Sequence, residues 1–162
     1  MDRLGSGEWE RLKAVRIRGL VDEPDAFGSS IEREGAFGEA DWRRLIGLGP
    51  WWVAVAGSED VGLVAGGTTK DPSIRWVYSM WVDERFRGTG VAAQLLDEVV
   101  RWARAEGAVR LGLDVTDRVP RARRFYERLG FVGMGTAGPL PRDPTIELSE
   151  MVLDLTSTRA GT

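Results

Sequence analysis

A glycine-rich segment near the middle of the sequence could bind an anionic ligand. It comprises residues 85–92 (RFRGTGVA), between a predicted strand and the start of a predicted helix. The first backbone N–H groups of a helix have no partner within the helix, and the helix dipole favours negative charge there. Gly88 and Gly90 lack side chains that would keep a phosphate away from that backbone. The segment therefore predicts a phosphate-binding loop, and a strand-to-helix turn that merely needs glycine is the simpler alternative.

A dinucleotide-binding pattern overlaps the same glycines. Residues 88–93 (GTGVAA) fit the pattern G-x-G-x-x-G/A, and Asp114 lies downstream at a suitable spacing for a ribose hydroxyl. A dinucleotide loop, however, follows its strand almost directly and opens a doubly wound domain. Here the polar residues 83–87 intervene, and three predicted strands come earlier in the chain. An NAD(P)-dependent oxidoreductase is therefore kept as a third hypothesis. A P-loop is excluded because no Gly-Lys pair is followed by Ser or Thr.

A tyrosine beyond this loop could transfer a proton. Tyr126 lies within residues 122–131 (ARRFYERLGF). A phenol with a pKa of about 10 is protonated at neutral pH and can donate a proton to a leaving group. Tyr126 also belongs to an apolar helical stripe with Ala122, Phe125 and Leu129. A tyrosine that only packs in the core is therefore the alternative.

Composition excludes several other chemistries. The 162 residues include no histidine and no cysteine, so a Ser-His-Asp triad, a cysteine nucleophile, a disulfide and a typical zinc site are excluded. We expect no metal.

The net charge of −3 and the pI of about 5.2 argue against nucleic acid and anionic membranes as partners. No apolar run approaches the roughly 20 residues of a membrane span. Residues 1–5 lack the apolar core of a signal peptide, so a cytoplasmic location is expected.

Together, the glycine-rich and tyrosine-containing segments resemble the signatures of the GNAT N-acetyltransferase superfamily. Arg85-x-x-Gly88-x-Gly90 is similar to its acetyl-CoA signature, Q/R-x-x-G-x-G/A. Leu113-x-Val115 with residues 122–131 is similar to its second signature, L-x-V-x-x-x-N-x-x-A-x-x-x-Y-x-x-x-G-F. The order of predicted elements resembles that of the superfamily along nearly the whole chain.

The resemblance implies an enzyme that uses acetyl-CoA. It would be an N-acetyltransferase in which a primary amine attacks the thioester directly in a ternary complex. The acceptor would be a small-molecule amine or an amine of a protein or peptide, and the chain would be a monomer or a homodimer. A non-catalytic acyl-CoA-binding or regulatory module is the main alternative.

The resemblance also implies roles for individual residues. The pantetheine arm of CoA would pair with a strand at Met80, Trp81 and Val82, which splays away from Leu113 and Val115. Tyr126 would be the general acid, and Arg85 would brace the glycine loop. The pyrophosphate would lie on the backbone of Arg87, Gly88, Thr89, Gly90, Val91 and Ala92.

One position departs from the second signature. Val119 stands where the superfamily has an asparagine that helps to hold the cofactor, three residues before Ala122. Valine cannot make a side-chain hydrogen bond. We therefore expect Val119 and Ala122 at the cofactor site, with altered cofactor affinity or a variant binding mode.

A general base is less clearly marked. An acceptor amine with a pKa near 8 is roughly 10% neutral at pH 7 and hardly needs a base, whereas a lysine-type amine with a pKa near 10.4 would benefit from one. Glu32, Glu34 and Asp114 are candidates, although each could be a solvated or structural acid. The arginines around the second signature form either a solvated helix face or a contact with CoA phosphates. They are Arg118, Arg121, Arg123, Arg124 and Arg128.

The periodicity of the sequence predicts the elements that position these residues. Helices are predicted at residues 7–20 (capped by Ser6), 39–46, 91–106 and 120–129, and strands at 52–56, 61–69, 75–82, 109–115, 131–134 and 146–155, with a short strand at 3–4. We expect one α/β domain over residues 1–162. Combined with the resemblance, this is a mixed, mostly antiparallel sheet of six to seven strands with splayed central strands and about four helices. Residues 25–38 and 135–144 are predicted as loops that would shape the acceptor site.

Overall fold

A seven-stranded sheet organises residues 1–157, the part of the chain that the computed structural model describes. The strands are β1 (Asp2–Arg3), β2 (Trp51–Ala56), β3 (Glu59–Thr68), β4 (Ile74–Val82), β5 (Arg110–Thr116), β6 (Val132–Leu140) and β7 (Asp143–Asp154). The helices are α1 (Trp9–Asp22), α2 (Ile31–Gly35), α3 (Glu39–Ile46), α4 (Val91–Ala105) and α5 (Pro120–Arg128). None of the helices in this part of the chain is long and apolar enough to span a membrane.

The sheet has the order β1-β2-β3-β4-β5-β7-β6. All neighbouring strands are antiparallel except β4 and β5, which are parallel and are connected through α4. The predicted mixed, mostly antiparallel sheet of six to seven strands is therefore confirmed, with five α-helices in place of about four.

Each face of the sheet packs against its own hydrophobic cluster. On one face, Leu95 and Val99 of α4 are fully buried against β-strand residues that include Leu111 and Leu113. On the other face, Leu12 of α1 is fully buried among residues of α3 and of β2 to β4. Burial of such a side chain contributes about 1.5–3 kcal/mol. The helices are thereby fixed on both faces of the sheet.

Strands β4 and β5 separate after a short paired stretch. Their pairing ends at Trp76 and Gly112, where the Trp76 ring lies so close that a Cβ on Gly112 would be 2.3 Å from it. Further along, Ser79 and Met80 oppose the single residue Val64 of β3, which forms a β-bulge. Ser79 has a φ of +60°, a conformation that costs a non-glycine residue about 1–3 kcal/mol. The bulge bends β4 away from β5, as the resemblance led us to expect.

Two segments predicted as loops contain regular structure. Within residues 25–38 the chain forms α2, where the Ser30 hydroxyl accepts a hydrogen bond of 3.2 Å from the Arg33 N–H. The predicted loop at 135–144 instead forms the end of the β6–β7 hairpin. Gly135 and Gly138 have φ values of +104° and +99° at bulges, so that this glycine-rich strand can continue. The Ser6 cap is wrong, because Glu8 occupies the N-cap of α1.

Candidate functional site

A cavity of about 260 Å³ lies where β4 and β5 diverge. Its wall includes Leu113 and Val115, which lie on the side of β5 that packs with α4. It also includes Asp114 and Thr116, which alternate with them and point to the other side. The cavity therefore touches both faces of the sheet. The full wall consists of Glu23, Ala26, Val77, Tyr78, Ser79, Met80, Trp81, Val82, Arg87, Gly88, Ala92, Leu113, Asp114, Val115, Thr116, Val119, Arg121, Ala122, Phe125, Tyr126 and Arg128.

The glycine loop adjoins this cavity and leads directly into α4. Gly90 is the N-cap of α4 with a φ of +90°, and Gly88 has a φ of +76°. A Cβ added to either glycine would meet no atom within 4 Å, so the backbone borders open space. The N–H groups of Val91, Ala92 and Ala93 are the first of the helix and have no acceptor within it. This arrangement suits an anion such as a phosphate.

The structure distinguishes two arginines near the loop. Arg87 lines the cavity and donates from Nε to the Val82 carbonyl oxygen at 3.0 Å. Arg85 is absent from the cavity wall and bonds to Asp83 and to Glu59, the latter at 3.0 Å.

This placement identifies a second match to the acetyl-CoA signature. The sequence Arg87-x-x-Gly90-x-Ala92 fits it two residues after the predicted match, and Arg87 and Ala92 are the members beside the cavity. The bracing role predicted for Arg85 is compatible with its contacts to Asp83 and Glu59, which lie outside the cavity.

Three arginines give one side of the cavity a positive charge, and we call Arg87, Arg121 and Arg128 the basic side. Arg121 and Arg128 lie near opposite ends of α5. Glu23, also in the wall, forms ion pairs with Arg87 at 3.0 Å and with Arg121. Arg87 also pairs with Asp22 at 2.6 Å. With three positive and two negative side chains the net charge remains positive, which favours an anionic ligand on this side.

Tyr126 packs in the core and also contributes to the cavity wall. Its ring contacts Phe125 and Phe131 edge-on, with centroids 5.1 and 5.4 Å away. Among residues 1–157 its hydroxyl has no hydrogen-bond partner. Burial raises the pKa of Tyr126 above the ordinary value of 10.0. The phenol is therefore protonated throughout the neutral range and can serve as a proton donor.

A different part of the cavity surroundings carries acidic and polar groups, and we call Tyr78, Asp114 and Glu150 the acidic side. Tyr78 and Asp114 lie in the cavity wall, and Glu150 of β7 pairs directly with Asp114 in the strand register. Burial and the Glu150 charge raise the pKa of Asp114. Burial and the Asp114 charge raise the pKa of Tyr78. Negative charge thus accumulates on this side.

The three candidate bases occupy different environments. Glu34 is buried and accepts two hydrogen bonds of 2.9 Å from Arg16, so it serves an internal ion pair. Glu32 is exposed on α2 and is not in the cavity wall. Asp114 alone of the three lines the cavity.

The cavity brings together most of the residues predicted for the site. Met80, Trp81, Val82, Arg87, Gly88, Ala92, Val119, Ala122 and Tyr126 lie in its wall. Arg85, Thr89, Gly90 and Val91 are outside the wall, the last three in the loop and first turn of α4 that adjoin it.

Sequence reasoning missed Glu23, Tyr78 and Thr116. For Tyr78 and Thr116 a signal existed, because both lie on the two strands expected to splay apart.

The two segments expected to shape an acceptor site are joined by Arg142. Its guanidinium donates hydrogen bonds to the Phe27 carbonyl oxygen at 2.9 Å and to the Pro24 carbonyl oxygen at 2.5 Å. The tip of the β6–β7 hairpin is thereby tied to the loop that follows α1. Ala26 of the same loop lies in the cavity wall.

Comparison with known proteins identifies a family and several relatives of this chain. Residues 18–131 match the Acetyltransferase (GNAT) family. The chain is 33% identical over 112 residues to acetyltransferase Atu2258 of Agrobacterium fabrum, which covers 68% of this chain and 74% of the relative. It is 34% identical over 87 residues to human N-acetylaspartate synthetase, with coverage of 54% of this chain and 29% of that protein. The chain thus spans under a third of the synthetase.

The fold comparison extends over the whole sheet. A Salmonella typhimurium protein described as an acetyltransferase and solved with its cofactor acetyl-CoA superposes with a TM-score of 0.68. The match covers 99% of this chain and 96% of that one, at 16% sequence identity. At this identity the similarity concerns the fold.

Proposed function

Because the chain belongs to the acetyltransferase (GNAT) family, we propose that it transfers the acetyl group of acetyl-CoA to a primary amine by direct attack in a ternary complex. The observation that carries this proposal is the cavity between the diverging strands β4 and β5, which borders the glycine loop. An anion site and an open strand edge adjoin each other there. This combination suits a cofactor with a phosphate group and an amide-containing arm.

The residues of the cavity fit such a cofactor. The open backbone at Gly88 and Gly90 and the free N–H groups of α4 would hold the pyrophosphate. Arg87 keeps the loop in place through the Val82 carbonyl oxygen. Beyond Trp76, β4 has no pairing with β5, so an extended arm could lie beside Met80 and Trp81. Val119 at the N-cap of α5 contributes an apolar wall.

Acetyl-CoA would supply a thioester. The amine nitrogen of the acceptor would form a bond to the thioester carbonyl carbon, while the bond from that carbon to sulfur breaks. Tyr126 would donate its hydroxyl proton to the departing sulfur, so that CoA leaves as a thiol. The nitrogen loses one proton to water or to a nearby carboxylate. Proton exchange with solvent then restores the phenol. The raised pKa of Tyr126 keeps the phenol protonated before each turnover.

Direct transfer requires no acyl-enzyme. The sequence contains no cysteine and no histidine to activate a serine or threonine. In this proposal the two substrates would occupy the cavity together, with the amine approaching the thioester near the bulge at Ser79.

A steady-state assay that detects the free thiol of CoA tests this function with a panel of primary amines. We expect initial-rate lines that intersect when both substrates are varied, which is typical of a ternary complex. Parallel lines would contradict direct transfer. Tight binding of acetyl-CoA in calorimetry without release of thiol from any amine would instead favour the acyl-CoA-binding module, for which Val119 is the supporting feature.

A further inference from the structure

The charges around the cavity differ between its basic side and its acidic side. The basic side holds Arg87, Arg121 and Arg128. The acidic side contains no arginine or lysine in the described wall. Its charged members are Asp114, which lies in the wall, and Glu150, which lies outside the wall as the strand partner of Asp114. An anionic cofactor would occupy the basic side. The acidic side is then available to the acceptor.

Asp114 and Glu150 form a pair of like charges. They are direct partners across β5 and β7, so both side chains point to the same face, with Cβ atoms about 5 Å apart. The neighbouring core residues Leu113 and Met151 point to the other face, towards α4. No cation in the described chain bonds to either carboxylate. Two facing carboxylates repel each other until a positive group lies between them.

A second observation at the same wall also indicates a polar ligand. Thr116 is only 7% exposed and lines the cavity on the same strand face as Asp114. Its Oγ1 is buried and has no hydrogen-bond partner within residues 1–157. An unpartnered buried hydroxyl costs free energy, which a bound donor would recover.

We propose that the acidic side binds a second ammonium group of the acceptor, so that the substrate class is a diamine or polyamine without a carboxylate. The inference rests on the proposed acetyl transfer and adds the identity of the acceptor. One amine reaches the thioester in its neutral form. The other stays protonated between Asp114 and Glu150, with the Tyr78 and Thr116 hydroxyls as further acceptors. An acceptor with a carboxylate at this position would meet like charge and be disfavoured.

Three amines of similar length test whether the acidic side binds a second ammonium group. Putrescine carries a second ammonium, butylamine ends in a methyl group, and γ-aminobutyrate ends in a carboxylate. We expect kcat/KM to decrease in that order, with a difference of about tenfold between putrescine and butylamine, the effect of one charge-assisted contact. Calorimetry of putrescine without acetyl-CoA provides a reading of the site that is independent of turnover.

Variants then assign the preference to the carboxylate pair. Asp114→Asn and Glu150→Gln should each reduce the ratio of kcat/KM for putrescine to kcat/KM for butylamine from about ten to near one. Glu147→Gln is the matched control, because Glu147 lies on the same strand but is exposed and does not pair with Asp114. This control should keep the preference for putrescine.

The outcomes separate the inference from the function on which it rests. Equal acetylation of putrescine and butylamine, or a preference for γ-aminobutyrate, would overturn the inference while acetyl transfer stands. Equal losses of kcat for putrescine and butylamine in Asp114→Asn would also overturn it, because they would identify Asp114 as a general base. Absence of acetyl-CoA binding would overturn the proposed function itself.

Discussion

The basic and acidic sides of the cavity are built by different means. The basic side depends on a helix N-terminus, two glycines with positive φ and arginines that lie in or beside the two signature segments. The acidic side depends on strand register, which places Glu150 opposite Asp114 although the two residues are far apart in the chain. An anion site can therefore be encoded within one segment. The cation site exists only after β5 and β7 have paired.

The largest effect should come from a charge at the helix N-terminus. Gly90→Glu would place a side chain and a negative charge in the open space that the phosphate would occupy, so we expect acetyl-CoA binding to be lost in calorimetry. Gly107→Glu is the matched control, because Gly107 also has a positive φ (+77°) and open space, at the other end of α4. Both variants pay a backbone cost of about 1–2 kcal/mol. Retained binding in Gly90→Glu would refute this placement of the cofactor.

Tyr126→Phe should have the next largest effect. Loss of the proton donor should lower kcat about 100-fold, the usual contribution of a general acid, while calorimetry shows little change in acetyl-CoA affinity. Since the Tyr126 pKa is raised, the wild-type kcat should show no decrease as the pH rises towards the ordinary tyrosine value of 10.0. Unchanged turnover in the variant would leave Tyr126 with a packing role only.

A pair of arginine variants tests which residue supports the glycine loop. Arg87→Gln removes the contact with the Val82 carbonyl oxygen and a charge on the basic side, so acetyl-CoA should bind about tenfold more weakly. Arg85→Gln removes ion pairs outside the cavity wall and should change the affinity less. A larger loss in Arg85→Gln would favour the earlier match to the signature.

The smallest expected effect is a change in the free energy of unfolding caused by the carboxylates of the acidic side. The pKa of Asp114 is raised in the folded chain by burial and by Glu150, and Tyr78 is the other titratable group beside it. The native state therefore holds this proton more tightly than the unfolded state, and stability falls as the pH rises from the ordinary value of 3.8 through the raised one.

Asp114→Asn removes the carboxyl group and therefore the loss of folding stability that accompanies its ionisation. We expect a gain on the order of 0.5 kcal/mol at pH 7, small because both side chains are only partly buried and solvent screens their repulsion. The gain disappears below the ordinary aspartate pKa. Denaturant unfolding at both pH values measures it. A loss of stability at pH 7 would contradict repulsion between Asp114 and Glu150. The expected combination of higher stability and weaker putrescine binding would be typical of a binding site.

Local patterns predicted the elements of the sheet unevenly. The bounds of α3 were predicted correctly, and those of α4 to within one residue, because each has an apolar stripe and a clear end signal. Residues 132–134 of β6 were predicted as a strand and residues 135–140 as a loop, because the glycines and Pro139 of that part are turn residues by composition. Pairing with β7 and bulges at the glycines override that preference in the folded chain.

Local sequence patterns were sufficient to predict the order of the elements other than α2, the glycine loop before α4 and the position of Tyr126 in the second signature. These features depend on neighbouring residues, since a helix cap, a left-handed glycine and an amphipathic stripe are local properties. Only the tertiary structure decided that Arg87 lines the cavity while Arg85 lies outside it, and that Asp114 faces Glu150. Those outcomes follow from strand register and side-chain packing between distant segments, which local patterns do not specify.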